Sequence, residues 1–240
     1  MSNQQQIHVT PVGDTLIVRQ GEAAEIYQYS GFKYTANSTD SLIALVKSKG
    51  IQENCVIAYD EKGFKVILND RVIDREQDRI TYNFKHSLQY KEWERILTNA
   101  VTFDQKNFID FLRRREEGEI IEPDRLMAAV QNFKYVTNIA GDFTYDDNNN
   151  YTFAIKVGEA ETTVRLPQMI FANMEFFNES GFVQCIEIEI EVYKPKGDGE
   201  KPAFKLTCPK YSRYMENAVA FEIEKVKTEL KDYLIVAGNI

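Results

Sequence analysis

From Ile186 to Val192 apolar and acidic residues alternate without a break, as Ile186-Glu187-Ile188-Glu189-Ile190-Glu191-Val192. Successive side chains of a strand point to opposite faces, so this period of two predicts a strand over 183–193 with isoleucines inward and glutamates outward. Shorter β-type runs precede and follow it. Val12–Val18 and Glu25–Tyr29 flank Gly21. Cys55–Tyr59 and Phe64–Asn69 enclose the turn Asp60-Glu61-Lys62-Gly63 and read as a hairpin. Arg79–His86 puts Ile80, Tyr82, Phe84 and His86 on one face. Lys134–Tyr145 and Tyr151–Val157 surround the polar tract Asp146–Asn150. Thr162–Leu166, Gln168–Phe177, Ala203–Cys208 and Tyr233–Val236 complete the set.

Helical spacing appears in three places. Leu42, Leu45 and Val46 predict a helix over Ser41–Lys49, after turn-forming residues and before Gly50. A central block follows, with helices over Leu88–Thr98, Asp104–Glu117 and Glu122–Gln131. In the second, Phe108, Ile109, Phe111 and Leu112 form the apolar face, Thr102 or Asp104 caps the start and Gly118 ends it. Pro123 suits a first helical turn. Arg213–Leu230 carries an apolar stripe of Met215, Val219, Ile223, Val226 and Leu230. Strands, then helices, then strands give an α+β class: a mainly antiparallel β-sheet with a central helical block and a C-terminal amphipathic helix. Residues 1–40 read as an N-terminal arm with short strands, and 41–240 as a single α+β domain. The block 88–131 is where a subdivision would fall.

Charge narrows the partners. With 29 Lys and Arg against 37 Asp and Glu, the net charge of −8 works against non-specific binding to nucleic acid or anionic membrane. No apolar run approaches the roughly 18 residues of a membrane helix. The start, Met1-Ser2-Asn3-Gln4-Gln5-Gln6, lacks signal-peptide features, so a cytoplasmic location is expected. Cys55, Cys185 and Cys208 are odd in number and lie in strand-like runs, which predicts buried free thiols.

Catalytic patterns are missing from the sequence. The two histidines are His8, in the arm, and His86, at a strand end beside Ser87. Neighbours on a strand point apart, so Ser87 and His86 make no dyad and His86 reads as structural. There is no Gly-x-Ser-x-Gly, Cys-x-x-Cys, His-x-x-x-His, Walker loop or Gly-x-Gly-x-x-Gly. Two acidic clusters, Glu187/Glu189/Glu191 and Asp142/Asp146/Asp147, read as solvated, with lysines such as Lys205 facing the glutamates across strands. No catalytic, cofactor-binding or metal-binding residue is therefore assigned. Arg113-Arg114-Arg115 is the one basic run. It serves a helix C-terminus well, and it is also the candidate nucleic-acid contact.

One resemblance covers about residues 40–236. The strand pair Val56–Tyr59 and Val66–Asp70 ends in Leu68-Asn69-Asp70. Tyr82 and His86 lead to Glu92-Trp93, and Gln105, Phe108 and Phe111 follow as Gln-x-x-Phe-x-x-Phe. Glu119-Ile120-Ile121-Glu122-Pro123, Leu166-Pro167 and the alternating strand complete the order. In this order the chain resembles the YfdQ-like phage and prophage family of unknown function. It departs from that pattern in having Trp93 as its single tryptophan. The resemblance implies a phage or prophage protein in the host cytoplasm and transfers no catalytic residue. Trp93, Gln105, Phe108 and Phe111 are expected at packing positions. The functional expectation is a non-enzymatic accessory protein that forms a homo-oligomer and binds or sequesters a host protein or a small molecule, without a membrane partner. The alternative is a nucleic-acid-binding accessory of phage replication or recombination, acting through Arg113, Arg114 and Arg115.

Overall fold

The structure is a computed structural model. It describes the backbone of residues 7–12, 15–20, 31–71, 76–133, 144–145, 150–157, 160–193 and 203–240, and the side chains of 31–71, 76–133, 166–193 and 203–240. The fold is α+β, as the alternating patterns predict, and its described strands are mostly antiparallel. The strand expected over Glu25–Tyr29, and all of Lys134–Tyr145 except its last two residues, lie outside the described residues.

Two sheets carry the packed interior. The first has the order β11 (Met169–Glu175), β12 (Val183–Tyr193), β13 (Ala203–Thr207), β7 (Val101–Asp104), and is antiparallel throughout. The second has the order β14 (Leu234–Ala237), β4 (Val56–Asp60), β5 (Gly63–Ile67), β6 (Arg79–Asn83), β3 (Lys33–Thr35). Its two outer pairs, β14 with β4 and β3 with β6, are parallel. Two smaller antiparallel units are a hairpin of β1 (Ile7–Val12) with β2 (Thr15–Gln20), and β8 (Thr144–Tyr145), β9 (Asn150–Val157) and β10 (Ala160–Pro167) side by side.

The alternating strand β12 buries Ile186, Ile188 and Ile190 and leaves Glu189 and Glu191 exposed. Those isoleucines pack with Phe204 and Leu206 beneath three helices: α2 (Leu88–Thr98), α3 (Gln105–Arg113) and α4 (Pro123–Gln131). Trp93 and Phe108 are fully buried there, while Phe111 is half-buried. Gln105 is more than a packing residue. Its Nε2 donates to the carbonyls of Val130 and Phe133 at 2.7 and 2.9 Å, closing the end of α4. In the second core, Leu42 and Val46 of α1 (Thr39–Lys49) cover Ile57, Phe64, Val66, Ile80 and Tyr82. Side-chain oxygens start each of these helices where the sequence offers them. Ser38 accepts from Ser41 N, Ser87 from Tyr90 N and Asp104 from Asn107 N.

The last helix, α5 (Tyr211–Glu229), reaches both cores. Ala218 belongs to the first, and Val226 with the following Leu230 to the second. Its buried line is Ala218, Glu222, Val226, Leu230 at steps of four. The stripe expected from hydrophobicity is covered only at its C-terminal end, and Met215, Val219 and Ile223 are half-buried. The thiols also divide. Cys55 and Cys208 are buried and free, but Cys185 is exposed because it occupies an outward position of β12. Burial pushes the thiols of Cys55 and Cys208 up to about 11.

Candidate functional site: a cavity between the two sheets

Strand β6 ends at Asn83, but its inward face continues through Phe84 and His86. The backbone there joins the second sheet to the first. Ser87 N donates to Phe176 O at 3.0 Å, Asn178 N donates to Lys85 O at 2.7 Å, and His86 bridges Phe177. This junction stacks four rings. Phe84 lies on Phe177 with centroids 4.7 Å apart, His86 lies 5.7 Å from Phe177, and His86 lies on Tyr90 at 4.1 Å, all within 23° of parallel.

Opposite these rings runs α5. Between them is a cavity of about 860 Å³. Met215, Val219 and Ile223 form one wall, and Phe84 and Phe177 the other. Polar groups stand around the apolar centre: Glu61, Lys62 and Asn83 near the β4–β5 turn, and Tyr211, Ser212 and Glu216 along the first turns of α5. Glu61, Lys62 and Glu216 have no ion-pair partner among the described residues.

His86, which lines the cavity, and Tyr90, buried behind the lining residue Tyr211, have constrained chemistry. His86 Nδ1 is buried without a hydrogen-bond partner. Burial lowers the imidazole pKa below its ordinary 6.5, the Phe176 carbonyl and Glu94 partly oppose this, and the ring is neutral at pH 7. Tyr90, only 2% exposed, has its hydroxyl 2.7 Å from the hydroxyl of Tyr211. Burial first, and then the bond to Tyr211, raises the Tyr90 pKa and holds that phenol protonated.

The arginine run is divided by the turn that ends α3. Arg114 and Arg115 donate their backbone N–H groups to Phe111 O and Leu112 O, so the helix stops at Arg113, four residues short of the expected end. Arg113 and Arg114 stay outside, one 3.8 Å from the Asp110 carboxylate and the other donating to the Asp110 carbonyl. Arg115 turns inward, with its side chain 5% exposed. It pairs with Glu119 at 3.1 Å and Glu92 at 2.5 Å, and its guanidinium lies 4.5 Å from the Phe111 ring centre. Glu119 also accepts from Trp93 Nε1 and from Glu116 N, at 2.8 Å for the latter.

On β12, Lys205 faces Glu191 directly across the strand pair at 2.9 Å, as cross-strand register requires, and Lys210 reaches Glu187 at 2.5 Å. Among the described residues no cluster of three or more His, Cys, Asp or Glu has the arrangement of a metal site. No described helix is long and apolar enough to cross a membrane.

The sequence pattern singled out Phe84 and His86 as one face of a strand, but not the cavity they border. The signal available was the stripe Met215, Val219, Ile223, which is more apolar than the line that α5 buries. Fold and site together define an α+β protein with a lined cavity where two sheets meet. No family model, curated protein or solved structure matches the chain.

Proposed function

We propose that this protein acts by binding, and that it holds a small molecule in the cavity between α5 and the Phe84–His86 segment. The observation that carries this reading is the placement of α5. The helix buries Ala218 and Glu222, yet leaves the more apolar Met215, Val219 and Ile223 half-covered, lining the cavity with Phe84 and Phe177. The uncovered part of such an apolar stripe costs free energy unless a partner covers it. About 860 Å³ is within the usual range for small-molecule sites, which combine apolar walls with a few polar groups. The resemblance to the YfdQ-like family supplies the setting: a phage or prophage accessory protein that assembles into a homo-oligomer in the host cytoplasm and withdraws a host-made molecule from circulation.

Titration with N-phenylnaphthylamine, an apolar dye that brightens out of water, tests the site. Saturable binding at one dye per chain is expected, and Ala220→Trp, an exposed change on the cavity wall, should abolish it. Saturable binding that survives Ala220→Trp would remove the cavity from the proposal. Light scattering on the full chain tests the assembly half, with a discrete mass above 27.8 kDa expected and a strict monomer at micromolar concentration counting against it.

A further inference from the structure

A pair of tyrosines bears on the polarity of the site: Tyr211, which lines the cavity, and Tyr90 buried behind it. Tyr90 is 2% exposed, and Tyr211 is the hydrogen-bond partner of its hydroxyl among the described residues. Two arrangements of the pair exist. If Tyr211 donated to Tyr90, the Tyr90 proton would be left buried with no acceptor, which is costly. Tyr90 therefore donates to Tyr211, consistent with the raised pKa that this bond gives Tyr90. The Tyr211 oxygen accepts that bond, so its own proton is turned away from Tyr90. Tyr211 lines the cavity, half-buried, with the hydroxyl-bearing Ser212 beside it. The hydroxyl of this lining residue thus keeps its proton for an acceptor other than Tyr90. Charge on the rim adds a second constraint. Among the described residues Glu61 and Glu216 are carboxylates there without an ion-pair partner, Lys62 is the one ammonium of the lining, and the whole chain carries −8, so an anionic ligand is opposed.

Resting on the cavity reading above, we infer that the ligand is an uncharged small molecule with an apolar body and a carbonyl-type oxygen that accepts a hydrogen bond from Tyr211. Tyr90 is a positioning residue: it touches no ligand and sets the direction of the Tyr211 proton.

Two neutral dyes separate this inference from the reading beneath it. Prodan carries one ketone oxygen, and its emission moves to longer wavelength when that oxygen accepts a hydrogen bond. N-phenylnaphthylamine has no oxygen. Both are titrated into the full chain, its Tyr211→Phe and Tyr90→Phe variants, and Ala220→Trp. Tyr211→Phe is expected to weaken Prodan about fivefold, the usual size for one hydrogen bond, and to shift its bound emission to shorter wavelength. N-phenylnaphthylamine should bind that variant as it binds the parent. Tyr90→Phe should weaken Prodan less, because the Tyr211 donor remains but is free to turn. If Tyr211→Phe leaves Prodan's affinity and emission unchanged while Ala220→Trp removes both dyes, the donor inference is overturned and the cavity stands. An equal loss of both dyes in Tyr211→Phe overturns it as well. If neither dye shows binding that Ala220→Trp removes, the cavity reading itself fails.

Discussion

Arg115 shows how far one residue can depart from its local sequence. In a run of three arginines followed by Glu116 and Glu117 it reads as a cation at a helix C-terminus. It is instead enclosed by Phe111, Trp93 and Glu119, because the chain reverses after Arg113 and returns Glu119 to the base of α2. Contacts that come from residues 22 positions upstream and from a turn leave no trace in local periodicity. Removing one partner of a buried pair leaves an uncompensated charge, so Arg115→Met should lower stability by about 3–5 kcal/mol in urea unfolding. Arg113→Gln with Arg114→Gln should stay within about 0.5 kcal/mol of the parent. That double variant, which spares the buried Arg115, is therefore the clean probe for nucleic-acid binding through this run. His86 provides a second test at the same scale. Its pKa is lowered in the folded chain by burial, so the unfolded chain binds the proton more readily. The stabilising difference is complete above the unfolded pKa of about 6.5. It is lost as the pH falls from there through the lower folded value. The urea midpoint should drop over that window, and His86→Phe, which keeps a ring against Tyr90 and Phe177, should flatten the drop. An unchanged pH profile in His86→Phe would place the titration elsewhere.

Elements were legible where one face is buried and the other wet. Strand β12 has the bounds that alternation predicts, and the hairpin of β4 and β5 falls where two β-rich runs enclose a turn. Strand β7 leaves no such mark, because Val101–Asp104 is four residues long and its Thr102 and Asp104 suit the cap of the helix that follows. The parallel outer pairs of the second sheet depend on chain ends meeting from far apart in sequence, which periodicity does not encode. Helix α5 was placed to within two residues at its start, but its buried line was displaced, since Ala218 and Glu222 do not look like core. The half-covered stripe is where the cavity lies, so the mismatch and the candidate site have one origin. The hairpin turn carries its own prediction. Gly63 has φ of +148°, and a Cβ there would stand 2.0 Å from Tyr82 O and 2.9 Å from Asn83 Cα, both backbone atoms that cannot move aside cheaply. Gly63→Ala should therefore cost more than about 1 kcal/mol, read as a lowered urea midpoint. A neutral result would show that β6 shifts easily past the turn.

At the scale of the whole molecule, the two cores meet at the Phe84–His86 junction and are tied again through α5 and one buried carboxyl group. Glu222 is 1% exposed and accepts from Thr39 of α1 on one oxygen and from Ser180, in the loop between β11 and β12, on the other. Around it, Lys225 meets Asp40 at 2.9 Å and Lys47 meets Glu229 at 2.6 Å, so the line 222, 225, 229 of α5 faces α1. The ion pairs are exposed and contribute little. Glu222 is different, because Thr39 and Ser180 are themselves 2% and 6% exposed and would lose their acceptors together. Each unsatisfied buried hydroxyl costs about 1–3 kcal/mol, which sets the expected loss for Glu222→Ala at about 2–6 kcal/mol. Glu222→Gln keeps the volume and one acceptor and should lose about half as much. Two probes report the two cores separately. Trp93 fluorescence follows the first, and amide exchange in α1 follows the second. If α5 couples them, Glu222→Ala lowers the Trp93 unfolding midpoint and the α1 protection by the same free energy, since one cooperative unit opens as a whole. Loss of protection confined to α1, with the Trp93 transition unmoved, would mean that the cores unfold independently. The cavity would then lie between separately stable halves, and its shape would depend on how α1 and Ser180 hold α5, making ligand binding itself a contributor to stability through mass action.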